Sequence, residues 1–155
     1  MIPNRKIYRK AQRTSDELRT TISALDLECI RVTIAQRHKW RDEILNFHER
    51  RYRNFLILCG STGAIIIPNG GVDIFWHCHI LDTLKYARDC EQIFGFYLHH
   101  FPYLGSQGDE AEFRILYAQT KQLYEATFGE AYEMAEAVNH DGDLSDKLDD
   151  GAKCG

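Results

Sequence analysis

The sequence has no apolar stretch that could cross a membrane, because no window approaches the ~20 uninterrupted apolar residues that a bilayer requires. Residues 1–13 also lack the apolar segment of a secretory signal. The five cysteines form no C-x-x-C pair and are odd in number, which is typical of reduced thiols and not of a disulfide framework or a zinc ribbon. We therefore expect a cytoplasmic protein with no membrane contact.

Each end of the chain has little or no charge of one sign. Residues 1–13 hold five Lys and Arg and no acid, whereas residues 138–155 hold five Asp and two Lys. No RNA-binding, zinc-finger or helix-turn-helix motif accompanies the basic end, so we predict a solvated arm and no nucleic-acid partner. The acidic end has almost no apolar residue and is predicted to be a flexible, disordered tail. Residues 14–137 are long enough for one domain.

Strand signals are absent as well, since every long segment repeats its apolar residues at helical spacing and no hairpin turn is visible. The predicted helices cover residues 15–25, 39–59, 73–93 and 109–128. We expect Thr14 and Asp73 to cap the first and third of them, and Gly60 and Gly95 to end the second and third. The fold class is therefore all-α, a single compact domain of about five helices with a flexible acidic C-terminal tail.

Four of the seven histidines lie between Val72 and Tyr103, and this segment is where we expect chemistry. Imidazole is the commonest protein ligand for transition metals and titrates near neutral pH. The candidate metal ligands are His77, His79, His99, His100 and Asp82. The residues expected to line or support the site are Asp73, Trp76, Tyr86, Asp89 and Cys90. Further candidate ligands are His38 and His48.

Helix geometry limits how these residues can combine. On a regular helix His77 and His79 point about 200 degrees apart, so both reach one ion only if the helix is distorted. Asp73 lies one turn before His77, and Asp82 lies close to one turn after His79, so each imidazole has a carboxylate that could orient or join it. The later histidine pair can share the site if the chain returns in an extended path after Gly95, and not if it continues as a helix.

Two other interpretations stay open. A cysteine enzyme would use Cys78, but its side chain diverges by about 100 degrees from both flanking histidines. Cys90 is more typical of a small buried hydrophobe. In a non-catalytic interaction module, structural histidines would support a partner-binding surface made of Trp76, Tyr86, Phe101 and Tyr103.

Residues 72–105, VDIFWHCHILDTLKYARDCEQIFGFYLHHFPYLG, resemble the signature of the glycine-rich domain-containing protein-like family of plants and bacteria, formerly a domain of unknown function. The V-D-x-x-W-H-x-H-x-L-D-T-x-x-Y-x-x-D-C pattern and the L-H-H-F-P-Y motif fit its bacterial branch, with a looser likeness over 15–60 and coverage of 15–128. This sequence contains no glycine-rich region like that of the plant members, so their suggested roles in RNA binding and stress are not transferred. The resemblance implies a helical domain in which these residues matter: Asp73, Trp76, His77, His79, Asp82, Tyr86, Asp89 and Cys90.

The first hypothesis is therefore a small metal-binding protein, a metalloenzyme of oxidative or hydrolytic type whose site is built from the WHCHILD and LHHFPY motifs. Its substrate would be a small molecule or a peptide. Zinc, iron and copper all accept imidazole with carboxylate, so the sequence does not separate them. The alternative is the non-catalytic interaction module, and a homo-oligomer stays open under either hypothesis.

Overall fold

The computed structural model describes residues 8–133, which form six α-helices and no strand. This confirms the predicted all-α single domain, with one helix more than expected. The predicted acidic tail and residues 1–7 of the basic arm lie outside the described residues. The helices are α1 (Ser15–Ser23), α2 (Glu28–His38), α3 (Asp42–Thr62), α4 (Gly70–Leu81), α5 (Thr83–Phe94) and α6 (Glu110–Phe128).

Helix α1 begins as predicted, at a capping box on Thr14. The Thr14 hydroxyl accepts a hydrogen bond from the backbone N–H of Glu17 at 3.2 Å, and the Glu17 carboxylate accepts from the backbone N–H of Thr14 at 2.8 Å. The helix buries Leu18 and Ile22, four residues apart on one face.

Helix α2 was not predicted, because its sequence carries little helical patterning. Only Ile30 and Ile34 are buried, and the N-cap residue Leu27 makes no side-chain capping hydrogen bond. Val32, Thr33 and the two isoleucines are β-branched, which lowers intrinsic helix propensity. Packing of α2 against α3 and α4 supplies the missing stability.

The prediction that Gly60 ends the long helix is wrong. Helix α3 continues to Thr62 and ends at Gly63, which adopts the left-handed conformation with φ 65. Gly60 instead lies inside α3, where a Cβ atom would be 2.9 Å from Leu18 Cδ1 and 3.1 Å from Phe94 Cε1. The missing side chain lets α1 and α5 pack closely against α3.

The prediction that Asp73 caps a helix is also wrong. Helix α4 begins at Gly70, and the Asn69 side chain accepts a hydrogen bond from the backbone N–H of Val72 at 3.1 Å. Asp73 therefore lies inside the first turn of α4, with its side chain free for other contacts.

The single helix predicted over residues 73–93 is two helices. The chain breaks at Asp82, whose backbone ψ of 74 is not helical. The Asp82 side chain then caps α5 by accepting from the backbone N–H of Lys85 at 3.4 Å. Helix α5 ends at Gly95 as predicted, with φ 74.

Helix α3 lies at the centre of the fold and contacts α1, α2, α4 and α6. Trp76 of α4 and Tyr86 of α5 are 6% and 1% exposed, so these aromatic side chains belong to the core. Their burial removes both from the partner-binding surface that the interaction-module hypothesis requires. No helix between residues 8 and 133 is long and apolar enough to span a bilayer.

The chain on either side of the helices packs against them. The backbone N–H of Ala11 donates to the carbonyl of Gly60 at 2.8 Å, so the described part of the basic arm contacts α3. After α6, the guanidinium of Arg51 donates to the carbonyls of Ala131 and Tyr132. The Tyr132 side chain is buried.

Candidate metal centre

Three potential ligands converge where α4 meets the chain that follows α5. Asp73 and His77 lie one turn apart on α4, and His100 lies in the irregular segment after Gly95. One ligand atom from each of these three side chains lies within 4.8 Å of the others. Asp73 Oδ1 is 2.9 Å from His100 Nε2 and 3.6 Å from His77 Nε2, and the two Nε2 atoms are 3.0 Å apart.

These distances suit one shared ion. With bonds of about 2.0–2.2 Å from zinc to nitrogen or oxygen, neighbouring ligand atoms on an octahedral or tetrahedral face are about 3.0–3.5 Å apart. The three observed separations, 2.9, 3.0 and 3.6 Å, lie close to this range. Two imidazoles and one carboxylate on a single face also form the donor set of non-haem iron(II) sites.

The same atoms can instead share a proton. A proton on His100 Nε2 can be donated to Asp73 Oδ1 and also points toward His77 Nε2. The three side chains therefore supply one another with hydrogen-bond partners when no metal is bound. The arrangement can therefore hold a metal ion or a hydrogen-bonded proton, and metal measurements distinguish them.

The cluster is accessible from solvent. The side chains of Asp73 and His77 are 39% and 34% exposed, and that of His100 is 14% exposed. An ion held by these three side chains would therefore keep positions that a small molecule could reach.

Buried aromatic side chains hold His100 in place. The ring centroid of Trp76 lies 4.5 Å from that of His100. The Trp76 Nε1–H donates to the Tyr86 hydroxyl at 2.8 Å, and this hydroxyl donates to the carbonyl of Leu98 at 2.6 Å. Both residues were predicted to support the site; Trp76 contacts His100, and Tyr86 contacts the chain just before it.

The extended return that a shared site requires is thus present, but it brings only one residue of the later histidine pair to the cluster. His99 is exposed, and its ring lies 4.9 Å from that of Tyr97. Adjacent residues in an irregular or extended segment point in different directions, so His100 turns inward while His99 does not.

His79 was predicted as a ligand, but the structure gives it different partners. Its side chain is 1% exposed; its Nδ1 lies 2.8 Å from the Tyr52 hydroxyl and its Nε2 lies 2.7 Å from Asp89 Oδ2. Burial lowers the pKa of His79, and burial raises the pKa of Tyr52 well above its usual value. The Tyr52 hydroxyl therefore donates to Nδ1 while Nε2–H donates to Asp89, so both ring nitrogens are engaged.

Asp89, predicted to support the site, thus belongs to the His79 pair and also contacts Lys85 Nζ at 2.9 Å. Asp82, predicted as a ligand, caps α5 and lies outside the cluster found among the described residues. Asp73 shows the opposite change, because it was predicted as a supporting residue and contributes one of the three converging atoms. Its spacing of four residues from His77 was the signal that the sequence offered.

The two further histidine candidates, His38 and His48, are not among the three described residues whose ligand atoms converge. His48 is buried and stacks on Trp40 with ring centroids 4.7 Å apart, and His38 packs near the same tryptophan at 5.6 Å. Burial lowers the pKa of His48 to about 4, with Arg51 acting in the same direction. His48 is therefore a neutral core residue at physiological pH.

The cysteines do not favour a thiolate nucleophile. Cys90 is 2% exposed, which confirms its predicted role as a small buried hydrophobe, and burial raises its pKa. Burial also raises the pKa of Cys78. A thiol whose pKa is raised is a poorer nucleophile at neutral pH.

Two plant proteins are similar to this chain. Glycine-rich domain-containing proteins 2 and 1 of Arabidopsis thaliana are 26% and 27% identical to it over 111 residues. The matched region covers 68% of this chain but 14% of the length of either plant protein. No protein-family model and no solved structure matches the chain. The two similarities support a family link with the glycine-rich domain-containing proteins.

Proposed function

We propose that this protein binds one divalent transition metal ion through Asp73, His77 and His100, and that it is a metalloenzyme of oxidative or hydrolytic type. The observation that carries the proposal is the convergence of one carboxylate oxygen and two imidazole nitrogens at 2.9–3.6 Å. Asp73 and His77 come from α4, and His100 comes from the segment after α5. Buried aromatic side chains hold that segment in place.

The number of protein ligands supports a catalytic role over a purely structural one. Structural zinc sites are usually closed by four protein ligands, whereas catalytic sites keep a position for water or substrate. A bound metal would supply an acidified water or an activated oxygen ligand at this position. The exposed side of the cluster gives a small molecule or a peptide access, and the metal itself decides between oxidative and hydrolytic chemistry.

We also propose a cytoplasmic location and membership of the bacterial branch of the family. The first is supported by the described cysteines, all of which are free thiols: Cys29, Cys59, Cys78 and Cys90. The second is supported by the L-H-H-F-P-Y motif.

Metal content of protein purified without a His-tag tests the proposed site. We expect elemental analysis and titration with zinc and cobalt(II) to give one ion per chain. His77→Ala and His100→Ala should each lower metal affinity at least tenfold. Loss of a residue that only supports a ligand already lowers affinity about 10-fold or more, and loss of the ligand itself should cost at least as much. Circular dichroism should show both variants folded.

His99→Ala is the matched control, because His99 adjoins His100 in sequence and lies outside the cluster. It should bind metal like the unaltered protein. A folded protein that takes up no zinc, cobalt(II) or iron(II) would contradict the proposal and leave the shared proton as the account of the cluster. Equal loss in the His99 variant would show that the site is built differently.

A further inference from the structure

Helix α4 carries an exposed leucine next to the open side of the candidate metal centre. Leu81, the last residue of α4, is 58% exposed and lies one turn beyond His77 and two turns beyond Asp73. Each step of four residues rotates about 40 degrees around the helix axis, so these three residues follow one shallow stripe. Helical side chains lean toward the N-terminus, so Leu81 covers the turn that holds His77.

The exposure of Leu81 is unusual for this helix. The other large apolar residues of α4 are buried or pack partly against the core: Val72, Ile74, Phe75, Trp76 and Ile80. Leu84, in the first turn of α5, is 62% exposed and follows Leu81 by three residues, across the chain break at Asp82. A single exposed leucine is ordinary, but two within four residues, the first of them one helical turn from a candidate ligand, bring apolar and polar chemistry close together along the chain.

Resting on the proposed function, we propose that the substrate is an amphiphilic molecule with an oxygen-donor head and a short apolar chain. The head binds the metal on the exposed side of Asp73, His77 and His100, and the chain lies along Leu81 and Leu84. Residue 81 lies about 6 Å along the helix axis from residue 77, a distance that a short alkyl chain or one aromatic ring spans.

The pairing of the two surfaces argues for one molecule. A metal held by three protein ligands binds an oxygen donor in its open position, and this binding does not use the adjacent leucines. An apolar chain attached to that oxygen donor covers leucine surface and removes it from water. Because the head group is already bound, the apolar chain loses little further translational freedom.

A series of straight-chain hydroxamates tests the inference, because the head group chelates the metal and only the chain length varies. The protein is loaded with cobalt(II), and the dissociation constants of acetohydroxamate, butyrohydroxamate, hexanohydroxamate and octanohydroxamate are measured from the visible absorption bands of the metal. We expect affinity to rise about twofold per methylene, half of the approximately fourfold effect of full burial, and to level off beyond the hexyl chain.

Leu81→Ser should flatten this dependence while leaving acetohydroxamate binding unchanged. Ile115→Ser is the matched control, because Ile115 of α6 is also 58% exposed and lies on a helix that contributes no residue to the cluster. It should keep the chain-length dependence. The same titration with His100→Ala detects any binding of the chain that does not need the metal.

The possible failures are separable. A protein that binds no metal overturns the proposed function, and the inference falls with it. Normal metal and acetohydroxamate binding with no dependence on chain length, or a dependence that survives in Leu81→Ser, overturns the inference alone. If sedimentation shows a dimer that Leu81→Ser converts to a monomer, a second copy of the chain covers the leucines, and this also overturns the inference.

Discussion

His77 and His79 are separated by one residue, and the helix turns them toward opposite environments. The His77 side chain is 34% exposed and lies in the candidate metal centre, whereas that of His79 is 1% exposed and lies between α3 and α5. Buried polar atoms are usually hydrogen-bonded, and Tyr52 and Asp89 supply a partner for each ring nitrogen of His79. The same residue type is therefore a candidate ligand at one position and a core hydrogen-bonding group at the other.

Replacement of His79 by Ala should lower stability without removing metal. The substitution leaves a cavity and deprives the Tyr52 hydroxyl and the Asp89 carboxylate of a buried partner, so we expect a loss of about 2–4 kcal/mol in the free energy of unfolding. Urea unfolding measures this loss, and elemental analysis should give the stoichiometry of the unaltered protein. His99→Ala, at an exposed position, should change neither value. Loss of metal with unchanged stability would instead make His79 a ligand, as its sequence position suggested.

At the scale of the helices, the position of α4 is set by its close approach to α3. A Cβ atom on Gly71 would lie 1.9 Å from Nδ1 of His48, whose ring is held by stacking on Trp40. Gly70, one residue earlier, has nothing within 4 Å of its Cβ position. Packing therefore requires a glycine at position 71 but not at position 70.

This difference predicts opposite effects for two neighbouring substitutions. Gly71→Ala should lower the free energy of unfolding by about 1–3 kcal/mol, because the added methyl group overpacks the contact with His48. Gly70→Ala should leave stability unchanged or raise it by up to about 1 kcal/mol, since alanine costs less backbone entropy in a helix. Thermal unfolding of both variants provides the comparison. Equal effects would show that α4 does not depend on this contact.

The break between α4 and α5 shows how far helical periodicity can be used for prediction. The spacing of apolar residues continues from 74 to 93, which is why one helix was predicted. Asp82 followed by Thr83 has the composition of a helix start, but the same residues occur inside surface helices. The break lets α5 fold back so that Asp89 faces His79 of α4. The spacing of apolar residues within this segment does not indicate that its two halves pack against each other.

For the molecule as a whole, the segment after α6 closes the core. The hydroxyl of Tyr132 donates to the carbonyl of Ile67, and the carbonyl of Tyr132 accepts from the side chains of Asn69 and Arg51. Asn69 caps α4, so this closing segment contacts the start of the helix that carries Asp73 and His77. The boundary of the folded unit thus lies beyond the last helix.

Two changes near this boundary should differ sharply. Tyr132→Ala should lower the free energy of unfolding by about 3–5 kcal/mol, as for other buried aromatic residues. Truncation after Asn139 should shift the melting temperature by no more than a few degrees, because residues 140–155 contain too little apolar surface to offset the entropy of ordering them. Differential scanning calorimetry measures both. A large shift on truncation would show that the acidic end packs against the domain.

The sequence by itself determined the helical class, the capping box at Thr14, the end of α5 at Gly95 and the segment that contains the candidate site. Each of these depends on residues within one or two helical turns of one another, and such local interactions are visible as spacing and composition. Tertiary structure alone decided that His100 joins Asp73 and His77 while His79 pairs with Tyr52 and Asp89. Those choices depend on which faces of α3, α4 and α5 meet and on how the chain returns after α5. These contacts join residues 10 to 27 positions apart. They follow from packing of the whole core, and no local pattern encodes them.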